Sequence, residues 1–81
     1  PALLSNLGII LKDAKDFPGA IAAYKEAIRL DPKDAVAYTN LGLVLQISRD
    51  LPGATAAYRD AIRVNPNYAR AHNNLGVALY D

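Results

Sequence analysis

The chain has 81 residues, 52% of them hydrophobic, and nine cations against eight anions leave a formal charge of +1. That apolar content excludes a disordered polypeptide, and the near-neutral balance gives no long-range field for nucleic acid or anionic lipid. The absence of cysteine removes disulfides, thiolate chemistry and cysteine-held metal, and no apolar run is long enough to span a bilayer.

In chain order, the punctuation predicts five helices and no strand. The first covers 2–14. Pro18 suits the opening turn of a helix and pushes Phe17 out of the α region, so a second helix runs over 18–30. Asp31-Pro32 closes it for the same reason, and Asp34 is placed to cap a third over 35–48. Pro52 opens a fourth over 52–64, Asn65-Pro66 ends it, and a fifth spans 69–80. Lys15 and Arg49 fall in the turns between paired helices. A left-handed backbone there carries roughly 1 kcal/mol of strain for a residue with a Cβ; the alternative is a more helical turn.

The elements repeat. Asn6-Leu7-Gly8 returns as Asn40-Leu41-Gly42 and Asn74-Leu75-Gly76, at intervals of 34 residues. Pro18-Gly19-Ala20, Ala22-Ala23-Tyr24 and Ala27-Ile28-Arg29 return in the same register as Pro52-Gly53-Ala54, Ala56-Ala57-Tyr58 and Ala61-Ile62-Arg63. One array over 1–81 follows, with units 1–34 and 35–68 and the opening helix of a third at 69–81. A glycine inside a helix costs about 1 kcal/mol relative to alanine, so the three mid-helix glycines need an offsetting contact. Close approach of Gly8 and Gly42 to Ala20 and Ala54 of the following helix is the expected one.

This pattern resembles the tetratricopeptide repeat, through Leu7-Gly8, Ala20, Tyr24, Ala27 and Pro32, then Leu41-Gly42, Ala54, Tyr58, Ala61 and Pro66, then Leu75-Gly76. Departures are Leu4, Tyr38 and His72 at the first aromatic position, and Leu11, Leu45 and Leu79 where the family usually has tyrosine. The resemblance implies an all-α, right-handed α-solenoid of antiparallel helix pairs. It also implies a protein–protein interaction module whose first helices line a concave groove for an extended or helical peptide. The groove positions carried over are Ala2, Ser5, Asn6, Ile9, Lys12 and Asp13; Val36, Thr39, Asn40, Leu43, Gln46 and Ile47; and Arg70, Asn73, Asn74, Val77 and Tyr80.

Asn6, Asn40 and Asn74 form a ladder of amides, each able to donate to and accept from a ligand backbone. With helices about 10 Å apart, three rungs span roughly 20 Å, or roughly six extended residues. Local bonding to a neighbouring helix is the competing role. Ile9, Leu43 and Val77, with Val36 and Ile47, make an apolar stripe that either meets a partner's side chains or tightens helix contact. The family's carboxylate clamp for acidic chaperone tails falls on Ser5, Ile9, Asn40, Arg70 and Asn74. Only Asn40 matches outright and Arg70 replaces a lysine, so a neutral or apolar peptide fits better.

No catalyst or cofactor site is expected. The only histidine, His72, occupies a packing position and has no second ligand, and the Pro-Gly pairs form no phosphate-cradling loop. Lys12 and Arg70 are too few cations for nucleic-acid reading. The last helix is expected to present Leu75, Ala78 and Leu79 to a partner absent from the chain, which suggests a homo-oligomer. A structural or self-assembling segment without a dedicated ligand is the alternative function.

Overall fold

The computed structural model describes residues 2–80, the side chain of Ala2 excepted, so the groove position assigned to Ala2 lies outside the described side chains. Five helices follow in order: α1 Ala2–Asp13, α2 Phe17–Leu30, α3 Ala35–Ile47, α4 Leu51–Val64 and α5 Ala69–Tyr80. No strand occurs among the described residues. Every boundary falls within one residue of its sequence expectation.

The helix starts have a second cause beside proline. Asp16 and Asp50 accept the Gly19 and Gly53 backbone N–H groups at 3.1 and 3.0 Å, which caps α2 and α4. Asp34 caps α3 through Val36 and Ala37, at 3.0 and 3.2 Å. Each cap satisfies an otherwise orphaned donor.

Lys15 and Arg49 adopt φ of 65° and 71°, so the turns are left-handed and the more helical alternative is not taken. A Cβ there costs about 1–2 kcal/mol, while glycine loses about 0.5–1 kcal/mol more chain entropy on folding. Lys15→Gly is therefore expected to raise stability by up to about 1 kcal/mol, read as a higher urea midpoint at unchanged slope.

Each helix packs on the next, and α3 also touches α1 and α5, so α1, α3 and α5 form one layer and α2 and α4 the other. This is the all-α solenoid of antiparallel pairs that the sequence implies. Its first core joins Ala20 and Tyr24 to Leu41, Val44 and Ala57, with Leu11, Phe17, Ile21, Ile28 and Leu45 packed around them. A second joins Ala54, Tyr58 and Ala78, supported by Leu45 and Leu75.

Two expectations need correction. A Cβ built on Gly8 would stand 2.5 Å from the Tyr24 ring, and one on Gly42 2.5 Å from the Tyr58 ring. The glycines therefore admit an aromatic ring. Ala20 and Ala54 are fully buried in the same cores, but the atoms nearest the glycines belong to the rings. On α5, Ala78 is only 4% exposed and packs with Leu75 against α4, so neither belongs to a free face. Leu79 remains exposed, and nothing lies within 4 Å of a Cβ built on Gly76.

Candidate functional site

The layer of α1, α3 and α5 carries the positions that the sequence assigns to a groove, and their surroundings differ from helix to helix. Asn6 is exposed and Asn74 half-buried, whereas Asn40, enclosed by helices on both sides, is 7% exposed. Among the described residues no hydrogen bond holds the Asn40 side chain, and its amide is not among the fully sealed, unpartnered atoms, so it still meets solvent. Thr39 is different: it is 1% exposed and its hydroxyl donates to the Ala35 carbonyl at 2.8 Å, so little of it is open to a ligand. Ser5 is half-buried, with its Oγ sealed and unpartnered among the described residues.

The apolar stripe is broken into sections. Leu43 and Ile47 border a depression of about 530 Å³ with Gln46, Arg49 and Leu51. Asn73 and Val77 border another of about 510 Å³ with His72, Gly76 and Tyr80. Ile9 and Val36 are exposed but line neither depression.

Charge and hydrogen bonding link the helices beside these positions. The Tyr58 hydroxyl donates to Gln46 Oε1 at 2.8 Å, joining α4 to α3. Burial pushes the Tyr58 phenol up to about 12, against the opposing charge of Arg70. Tyr24 is also raised, by burial first and then by Asp13, again opposed by Arg70. Arg70 on α5 thus acts electrostatically on both tyrosines, while Lys12 lies 3.8 Å from Asp13.

The raised phenol has a signed consequence. The neutral ring stabilises the fold fully below pH 10, and that contribution is lost as pH rises toward 12. Urea midpoints should therefore fall between those two values, and Tyr58→Phe should flatten the fall.

His72 corrects a third expectation. It is exposed, and its Nε2 lies 2.8 Å from the Pro66 carbonyl, tying α5 to the preceding turn. The equivalent Tyr38 is packed beside Ala61 of α4; no later helix covers His72 in that way. No group of three or more His, Cys, Asp or Glu side chains with metal-binding proximity occurs among the described residues. Among the same residues, no helix is long and apolar enough to cross a membrane.

The TPR (tetratricopeptide) repeat profile matches residues 8–46 and 50–81. Among solved structures, the chain is similar to the TPR2B domain of yeast Sti1, determined as a pHsp70 complex. The TM-score is 0.93 at 30% identity, over 98% of this chain and 63% of that one. It is also similar in fold to the first TPR of Spaghetti (RPAP3), bound to the HSP90 peptide SRMEEVD. There the TM-score is 0.94 at 22% identity, with the same coverage of 98% and 63%. The chain thus spans less than two thirds of either relative. No curated protein matches the sequence.

Proposed function

The chain belongs to the tetratricopeptide repeat family, and from that premise we propose that residues 1–81 act as one array. It binds an extended or helical segment of another protein along α1, α3 and α5. Asn40 carries this reading. A nearly buried amide without a partner among the described residues loses much of its hydration, and a peptide backbone crossing α3 satisfies its donors and its acceptor together. Asn6 and Asn74 flank it at the repeat interval.

Leu43, Ile47, Ile9 and Val77 offer apolar contact around this centre, and Arg70 and Asn73 complete the face on α5. The heat-shock peptides held by the two structural relatives do not transfer directly. Ser5 and Asn74 stand where an acidic-tail clamp needs cations and Ile9 where it needs an amide, so the ligand favoured here is neutral or apolar. The role is binding, without a catalytic step.

A peptide selected on this protein from a random library provides the test. Asn40→Ala with Leu43→Ala should weaken it at least about ten-fold, since two lost hydrogen bonds and one truncated apolar contact each contribute on the order of 1 kcal/mol. The thermal midpoint should move by only a few degrees. Unchanged affinity would remove the groove from consideration.

A second reading rests on α1. Leu3, Leu7 and Ile10 are exposed, whereas Ala37, Leu41 and Val44, their repeat equivalents on α3, are buried. Such a stripe favours a structural segment that associates with its own kind through α1. Sedimentation at increasing concentration separates the two, and a strict monomer at high micromolar concentration excludes self-association.

A further inference from the structure

The two buried tyrosines are seated alike but bonded differently. Tyr24 lies on Gly8 and Tyr58 on Gly42 by the same ring edge, each Cε1 2.5 Å from where a Cβ would stand. The residues are 1% and 0% exposed. At Tyr58 the hydroxyl donates to Gln46 Oε1 at 2.8 Å, so the second unit supplies its own acceptor. One repeat interval earlier, the residue in the place of Gln46 is Lys12. An ammonium carries three donors and no acceptor, so it cannot receive the Tyr24 proton. Its Nζ lies 3.8 Å from Asp13 instead. Among the described residues the Tyr24 hydroxyl has no hydrogen-bond partner, and its oxygen is not among the sealed atoms, so it still meets solvent.

Two groove positions act on this phenol with opposite signs. Asp13 of α1 has the larger influence and Arg70 of α5 the smaller. A donor this nearly buried loses hydration unless an acceptor reaches it, and an acceptor with a full negative charge would meet the repulsion of Asp13. With the residue 1% exposed, only the tip of an acceptor can approach. A carbonyl oxygen fits both conditions, and it is the group that Gln46 provides in the second unit.

We propose that the Tyr24 hydroxyl is a specificity-determining contact of the groove, donating to a neutral carbonyl oxygen of the bound segment in place of the acceptor that Lys12 does not provide. The inference rests on the peptide-binding reading above and narrows its ligand. The carbonyl belongs either to an Asn or Gln side chain of that segment or to its main chain.

The probe is the peptide selected from the random library. Tyr24→Phe keeps the ring on Gly8 and removes only the hydroxyl. It should weaken the peptide about five-fold, the effect of one hydrogen bond. In the free protein it should leave the urea midpoint unchanged or higher, because no internal bond is lost, whereas Tyr58→Phe should lower it. Replacements along the peptide then locate the acceptor, since at the contacting position Tyr24→Phe should cost nothing further. Coupling to a replaced Asn or Gln assigns a side-chain amide. Coupling to a main-chain ester, whose carbonyl accepts more weakly, assigns the backbone.

Coupling to an Asp or Glu, or to no position at all, overturns the proposal. So does unchanged affinity of the Tyr24→Phe protein, or a fall in its free midpoint equal to that of Tyr58→Phe, which would reveal an internal partner. If the Asn40→Ala, Leu43→Ala protein still loses affinity in those cases, the groove reading stands and this inference alone fails. Normal binding by that protein, or a library that yields no peptide, removes both.

Discussion

Tyr58→Ala is expected to remove about 3–5 kcal/mol of stability, enough to unfold much of the population of a domain this small. The ring is fully buried and lies where three helices meet, against Leu45 of α3, Ala54 of its own helix, and Leu75 and Ala78 of α5. Its truncation leaves a cavity that cannot readily collapse, because the surface directly opposite is Gly42, which has no side chain to move inward. The hydroxyl adds a bond to Gln46, so Tyr58→Phe should cost far less, about 1 kcal/mol. Urea unfolding followed by helical circular dichroism measures both. A loss below about 1 kcal/mol for the alanine variant would mean that the α3–α4–α5 junction is held by other contacts.

The same substitution made at two repeat-equivalent glycines should have opposite signs. Gly42→Leu forces a side chain into the Tyr58 ring, which is locked by burial and by Gln46; overpacking of this kind costs about 1–3 kcal/mol and at times more. A Cβ at Gly76 finds nothing within 4 Å, so Gly76→Leu should gain most of the helix-propensity difference, up to about 1 kcal/mol. Paired thermal melts therefore report a fall for one and no fall for the other. Equal destabilisation at both would show that backbone freedom, and not the ring, is what the glycines provide.

The architecture was legible because its markers are local. Four prolines and Asp34 fix helix ends through steric and hydrogen-bonding rules that act within a few residues, and the 34-residue interval relates one hairpin to the next. Asp16 and Asp50 went unread because the adjacent prolines already accounted for the helix starts. The partner of the glycines was not local. A gap in a helix surface demands close approach, yet an alanine and a flat ring satisfy that demand equally well until the two helices are placed together.

Leu75, Ala78 and Leu79 illustrate a related limit. A helix sandwiched between neighbours is apolar on two faces, so composition does not say which face looks toward α4 and which looks away. The site was legible as a set of positions and not as a set of environments. Asn6, Asn40 and Asn74 are the same residue at the same register, but only Asn40 has a helix layer on either side to enclose it. Thr39 illustrates the reverse, since its hydroxyl is consumed by its own helix.

The two-sided enclosure of α3 also sets an order of motion. Seven of its residues are buried, against two on α5, and opening it requires both hairpins to separate. The outer helices can fray at much lower free energy. Amide protons of α3 should be the slowest in the molecule to exchange with solvent, and Asn40 rides on that most persistent segment. A ligand meeting this amide finds it already fixed in place, whereas whatever contacts α1 or α5 must also still their excursions.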